Sequence, residues 1–387
     1  MYFRCVRRPR FVSYEPQPIA IIEDNFLQMI NVSKRTIDMT FIQLKNIVLL
    51  VAIMSSYFSA TAQKQEMVKI VKEKNTNRIN VLIGNQPFTS FFYPDTLEKP
   101  VLYPIRAANG TIVTRGFPLN PLPGEPTDHP HHIGMWLNYE NVNGLDFWNN
   151  SFAIPAAKKN AYGWIKTDRI VETKDGTTGI LTYHANWTNQ ANETLLEETT
   201  QFAFSGTDRL RIIDRTTTLK ANTEVHFNDA KDGMLGLRLA RELQIPATED
   251  KKFTDEKGIV TVVKGKADSI SNGNYITSEG KQGDAAWSTR GRWCKVYAKM
   301  GTDSVSITMI DHPQNPNYPT FWHARGYGLF AANPLGEKIF TNGKSAKNLQ
   351  LKKGESVVFR YRIVIDNGKK TIDAREINIL ADAFGKP

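Results

Sequence analysis

Five of the chain's seven histidines fall in two short segments, Gly124-Glu-Pro-Thr-Asp-His-Pro-His-His-Ile-Gly-Met-Trp136 and Asp311-His-Pro-Gln-Asn-Pro-Asn-Tyr-Pro-Thr-Phe-Trp-His-Ala-Arg325. Both contain the tripeptide Asp-His-Pro. Imidazole suits proton transfer near neutral pH and metal ligation, so its gathering beside carboxylates, guanidinia and indoles points to a chemical site. The candidates for that chemistry are His129, His131, His132, His312 and His323, with Glu125, Asp128 and Asp311. If the first segment is extended, His129 and His131 share one face and His132 turns to the other, so two adjacent imidazoles at most are expected in one site. A His-x-His pair completed from elsewhere could bind zinc, iron or copper, which makes His129, His131, His312 and His323 the candidate ligands of a divalent transition metal. The same groups could act without metal, one imidazole as general acid and one carboxylate as base. Any single histidine would more simply brace a proline-rich turn or fill a core gap; clustering in two segments favours a pocket.

Around these segments lie the groups a polyhydroxylated ligand would need. Trp136, Trp148 and Trp322 offer flat faces for the apolar side of a sugar ring, and Asp146 offers a hydrogen-bond acceptor. A third segment, His226–Glu242, supplies Lys231, Asp232 and Arg238; alternation from Leu235 turns Arg238 away from Leu237 and Leu239. Arg115-Gly-Phe and Arg325-Gly-Tyr repeat an Arg-Gly-aromatic pattern beside the two histidine segments, where glycine allows a tight backbone path next to a guanidinium. Each indole alone suits a core, and Arg238 equally suits a surface ion pair.

The elements that must position these side chains read almost entirely as strands. Branched and aromatic runs at Ile79–Ile83, Val101–Ile105, Gly163–Glu172, Gly179–Trp187, Leu195–Phe204, Arg209–Leu219, Leu235–Leu243, Trp293–Lys299, Val305–Ile310, Tyr327–Ala331 and Val357–Ile365 alternate with turn clusters. Strand following strand without helices implies antiparallel sheets, hence an all-β fold: a large antiparallel β-sandwich, or supersandwich. One C-terminal helix is expected, because Ile377, Leu380, Ala381 and Phe384 recur at helical spacing and Gly385 follows as a stop. Residues 246–286 are the most polar stretch and read as an excursion within a single domain spanning 63–387.

Ahead of that domain, residues 39–62 read as an export signal: Lys45, an apolar run from Asn46 to Met54, and the small-x-small Ala60-Thr-Ala62 before Gln63. The run is too short to span a bilayer, so no stable membrane insertion is expected after cleavage, and the protein is expected to be periplasmic or secreted. Residues 1–38 show no coherent periodicity and read as a disordered, over-extended start. The whole chain carries a formal charge of +10; residues 1–38 contribute two of those charges and Lys45 one, leaving +7 scattered over the domain. With no arginine-rich stripe, nucleic acid is not the expected partner. Only Cys294 remains in the domain, which excludes a disulfide framework and a thiolate metal cluster.

With Tyr103-Pro-Ile105, Thr114-Arg-Gly-Phe-Pro118, Asp128-His-Pro-His-His132, Asp146-Phe-Trp148, Lys231-Asp-Gly233, Gly236-Leu-Arg238, Asp311-His-Pro-Gln-Asn-Pro316 and Trp322-His-Ala-Arg-Gly-Tyr-Gly328 in view, the chain resembles the PmoA-type family of exported bacterial proteins, a domain of unknown function. The resemblance covers about residues 79–366. It implies a galactose-mutarotase-like supersandwich and an association with sugar degradation. The expected function is an exported carbohydrate-active enzyme, of mutarotase, epimerase, lyase or hydrolase type, acting on a small sugar or glycoside by His/carboxylate chemistry. A His-ligated metal-dependent oxygenase or hydrolase, and a non-catalytic glycan-binding protein, are the alternatives.

Overall fold

Alternating apolar and polar positions place one face of a strand in a core and the other outside it. In a computed structural model describing residues 64–247, 249–254, 260–263 and 269–386, that alternation resolves into two facing eight-stranded sheets, with every strand pair antiparallel. The expected export signal at 39–62 and the residues upstream of it lie outside the described residues. Residues 63–387 form one compact unit.

The first sheet runs in the order β1 (Val68–Lys72), β2 (Arg78–Ile83), β3 (Gln86–Phe92), β4 (Val101–Leu102), β5 (Met135–Tyr139), β11 (Gly233–Arg238), β18 (Leu329–Asn333) and β17 (Phe321–Ala324). The second runs β14 (Asn274–Thr277), β15 (Trp293–Met300), β16 (Asp303–Asp311), β20 (Ser356–Gly368), β9 (Leu210–Ala221), β8 (Thr194–Gly206), β7 (Gly179–Thr188) and β6 (Trp164–Lys174). Two ribbons complete the strands, β10 (Val225–Phe227) with β19 (Leu349–Leu351) and β12 (Lys251–Thr254) with β13 (Val260–Val263). The polar excursion therefore holds one ribbon and returns to the second sheet at Asn274. The fold is all-β, as the strand pattern implies.

Between the sheets lies the main core, built from inward residues such as Met135, Leu137, Leu235, Leu237 and Phe330 of the first sheet and Phe202, Ile213, Val296, Ile307 and Ile363 of the second. The outer face of the second sheet is covered by helix α1 (Ala374–Phe384), whose Ile377 and Ala381 pack on Trp293, Ile310 and Val364. That helix starts with a capping box, Asp373 accepting from the Glu376 amide and Glu376 from the Asp373 amide, and is followed by Gly385. The outer face of the first sheet carries a separate cluster, with Val101, Trp136, Trp148, Leu329 and Ala331. Cross-strand register aligns Trp136, Gly236, Ala331 and His323 in one lateral row across β5, β11, β18 and β17. This row floors the site.

Polar residues inside the sandwich are tied together. Glu198 accepts from Tyr183 Oη at 2.6 Å, Trp187 Nε1 at 2.8 Å, Thr200 Oγ1 at 2.7 Å and Arg215 at 3.0 Å. A buried ion pair of this kind is worth little net, but losing one partner strands the other charge. Arg215→Met is therefore expected to destabilise the protein by about 3–5 kcal/mol in urea denaturation, and a loss below about 1 kcal/mol would show that the other donors to Glu198 suffice without the guanidinium.

Candidate active site on the outer face of the first sheet

The segment between Gly116 and Gly134 crosses the outer face of the first sheet, and two guanidinia beneath it decide its path. Arg115 has no solvent exposure; it donates to the carbonyls of Pro126, Asp128, His129 and His132 and to Asp128 Oδ1 at 3.1 Å. Arg238, equally buried, projects from β11 and donates to the same Asp128 Oδ1 at 2.8 Å and to His132 Nδ1 at 3.3 Å. Burial pushes the Asp128 carboxyl up, but the His129 hydrogen bond and both guanidinia outweigh it and hold it well below the usual carboxylate range. Glu125 accepts from the amides of Gly116, Phe117 and Leu122, so it staples the same loop. Arg115 and Arg238 were expected to bind substrate oxygens; the structure commits their terminal nitrogens to the loop instead.

The histidine segment is not extended. His129 has φ 49°, a left-handed conformation that non-glycine residues rarely adopt, and the His132 amide turns back to the His129 carbonyl at 3.0 Å. The turn corrects the expected alternation and brings all three rings together. His129 and His132 stack at 4.9 Å with planes 2° apart, and His131 meets His132 edge-on at 4.3 Å. Tyr327 stacks on His129 at 5.2 Å and Trp136 on His132 at 5.2 Å, giving a column Tyr327–His129–His132–Trp136. Gly236 lies under its inner end: a Cβ there would meet the Trp136 ring at 2.6 Å and Trp148 at 2.9 Å.

The three imidazoles differ in what they can do. Burial, reinforced by Lys99 and the neighbouring guanidinia, pushes His131 down to about 2; burial followed by His131 and Arg238 pushes His132 down as well. Both are neutral at ordinary pH. His129 is 42% exposed, its Nδ1 is paired with Asp128, and its Nε2 has no hydrogen-bond partner among the described residues. Asp128 thus fixes the tautomer and leaves Nε2 to exchange a proton with a ligand.

Along the same face, His323 is buried, with Nδ1 at 3.2 Å from the Lys231 carbonyl and 3.5 Å from Asp232 Oδ1. Burial, then Lys231 and Arg325, pushes it down to about 3. Asp232 is paired with Lys231 at 3.4 Å, and its amide donates to Glu140. Burial raises Asp232, Glu140 and Asp146; Asp232 and Asp146 raise Glu140 further, and Asp146 raises Asp232. Glu140 and Asp146 border a polar cavity of about 470 Å³ that is also lined by Asn141, Tyr162, Asp229 and Lys231. A larger groove of about 730 Å³, around Asn143, Asn189 and Gln190, is lined by no imidazole.

Other expected members lie elsewhere. Asp311 and His312 end β16 of the second sheet: Asp311 accepts from Asn315 and the Thr320 amide, is raised by burial to about 7, and His312 packs edge-on against Phe384 of α1. They brace the 311–320 loop and do not join the cluster. Trp136, Trp148 and Trp322 are fully buried, Trp322 within the main core, so none presents a ring face to a sugar. The metal alternative is not met: among the described residues no three His, Cys, Asp or Glu side chains gather as a metal-binding group. Of its candidate ligands, His312 is remote, packed against Phe384 at the end of β16.

Sequence reasoning missed Lys99, Glu140 and the part played by Tyr327. Lys99 sits in Glu98-Lys-Pro100, which reads as an ordinary surface charge pair, yet it is 3% exposed with its ammonium 5.6 Å over the Trp136 ring. Burial lowers it to about 8 against the opposing pull of Glu98 and Asp146.

A family model describing a family of unknown function, DUF6807, matches residues 78–382. The chain belongs to that family. The match gives no support to the PmoA-type label. No curated protein matches the chain. Among solved structures it is similar to the Slr1438 protein of Synechocystis sp. PCC 6803 (9% identity, 80% of this chain and 98% of that one, TM-score 0.32). It is also similar to the GH36 alpha-galactosidase AgaB of Geobacillus stearothermophilus (10%, 78% and 41%, TM-score 0.35) and an alpha-galactosidase of Lactobacillus brevis (8%, 79% and 40%, TM-score 0.32). The chain spans about two-fifths of each galactosidase.

Two outcomes follow from this geometry. Gly236→Ala forces Trp136 and Trp148 aside, so a loss of about 1–3 kcal/mol in denaturant midpoint analysis is expected; an unchanged midpoint would mean the ring column is loosely seated. Lys99, depressed from 10.5 to about 8, binds fewer protons folded than unfolded between those values, so stability rises with pH across that window and the charge costs about 3 kcal/mol near pH 7. Lys99→Met is expected to flatten that rise and stabilise the protein at pH 7, as read by thermal melts from pH 7 to 10.5; a curve parallel to the parent's would contradict the assignment.

Proposed function

We propose that the protein is exported and acts on a sugar or glycoside by proton transfer, with His129 as the acid–base group and a carboxylate of the Glu140–Asp146–Asp232 set as its counterpart. The observation that carries this reading is the Asp128–His129 pair: an exposed imidazole with one nitrogen locked onto a carboxylate that two buried guanidinia immobilise. A side chain held in a rare backbone conformation, with its tautomer set and its other nitrogen free, is arranged for proton exchange and adds little to packing. The raised carboxylates supply a partner that holds a proton more readily than an ordinary Asp or Glu.

A sugar as ligand is supported by the cavity beside Glu140 and Asp146, whose size suits one or two rings and whose lining is carboxylate, amide, phenol and ammonium. Export is supported by Lys45, the apolar run from Asn46 to Met54 and Ala60-Thr-Ala62. The resemblance to PmoA-type proteins rests on the same site-forming residues, Asp128-His-Pro-His-His132 and Gly236-Leu-Arg238 among them.

The test is a screen of purified protein against free aldoses, glycosides and oxidised sugars, read by NMR for anomer exchange, epimerisation and bond cleavage. With a turned-over substrate in hand, His129→Asn is expected to lower turnover by about 10²–10⁴-fold while the melting temperature stays close to the parent's. Full turnover in that variant would remove His129 from the reaction.

A further inference from the structure

We infer that the ligand is an acidic sugar whose carboxylate seats against Lys99. This deepens the sugar-active reading and rests on it. A buried ammonium is costly unless acceptors surround it, and the other sequestered lysines among the described residues obey that rule. Lys159 donates to Asn150 Oδ1 at 2.7 Å and the Ser151 carbonyl at 2.8 Å; Lys166 donates to the carbonyls of Asp95 and Leu97; Lys295 donates to the Ile372 carbonyl at 2.9 Å.

Lys99 departs from it. At 3% exposure it is more deeply buried than Lys295, yet it makes no side-chain hydrogen bond and no ion pair with any described residue. The two carboxylates that pull on it from a distance are engaged elsewhere, Glu98 with Lys159 and Asp146 with Asn149. The Trp136 ring eases the charge but accepts none of its three N–H donors in the manner of an oxygen.

The surroundings favour an anion as the missing acceptor. His131 lies where Lys99, Arg115 and Arg238 all act on it; Asp128 pairs directly with the two guanidinia, while Glu98 and Asp146 act on Lys99 from further off. Arg325, stacked on Tyr327 at the outer end of the ring column, likewise has no side-chain hydrogen bond or ion pair among the described residues. Fixed cations in a partly desolvated site attract an anionic ligand and orient it. A carboxylate attached to the sugar brings that charge to the same face as the Asp128–His129 pair.

The experiment titrates full-length protein and its Lys99→Met and Lys99→Gln variants with glucuronate, galacturonate and digalacturonate, and with glucose, galactose and galactobiose as neutral counterparts. Thermal melts confirm that each variant is folded. The expected result is binding of at least one uronate about ten-fold or more tighter than its neutral counterpart, with Lys99→Met and Lys99→Gln each losing about ten- to a hundred-fold of that affinity. Equal binding of uronates and neutral sugars, or undiminished uronate binding by either folded variant, overturns the role of Lys99 and leaves the sugar reading standing. Binding of none of the six compounds removes both.

Discussion

Two guanidinia with no access to water converge on one carboxylate oxygen, and the site depends on that meeting. Arg115 reaches Asp128 from the start of the crossing loop and Arg238 reaches it from the centre of the first sheet. Neither cation would be tolerable in that position without the carboxylate and the row of loop carbonyls that Arg115 also satisfies. The loop is therefore anchored by charge at its middle rather than by apolar burial. The anchoring fixes the carboxylate on which His129 rests. An imidazole on a mobile loop would sample many orientations; this one inherits the rigidity of a β-strand two contacts away.

The ring column shows how packing divides labour among side chains of one type. His131 and His132 are neutral because they are buried among cations; they serve as polar aromatic packing between the sheet and His129. Trp136 and Trp148 sit one layer deeper, where Gly236 leaves room for them. Removing solvent from the inner rings leaves His129 at the exposed end of the imidazole series.

Much of the scaffold was legible in the sequence, because long strands such as β8 and β9 alternate faithfully between core and surface. Two of the strands that escaped notice did so for a physical reason. Met135–Tyr139 is buried on both faces, the main core on one side and the crossing loop on the other, so it shows no period of two. Phe321–Ala324 is likewise buried throughout. Leu235–Leu243 was expected to be one strand but ends at Arg238, because the chain turns through a short 3-10 segment at Arg241–Leu243. Within the site, the His129–His132 cluster and Asp232 were visible as motif residues, while the turn that unites the three rings was not, since it depends on His129 adopting positive φ under tertiary restraint. The two Asp-His-Pro tripeptides show the limit of local reading: one carries the exposed imidazole, the other braces a loop under the C-terminal helix. Lys99 gave no local signal, because its burial comes from packing on Trp136, 37 positions away in the chain.

The complete burial of the three indoles bears on how a ligand would be told apart from its relatives. With those indole faces covered, less affinity can be gathered from the apolar face of a ring, a contact that many sugars share. Discrimination then falls to fixed donors and acceptors that meet individual oxygens, and an unpaired buried polar group penalises each mismatch. A recognition surface of this kind would separate ligands that differ in the placing of one polar group and would be indifferent to how much greasy area they offer.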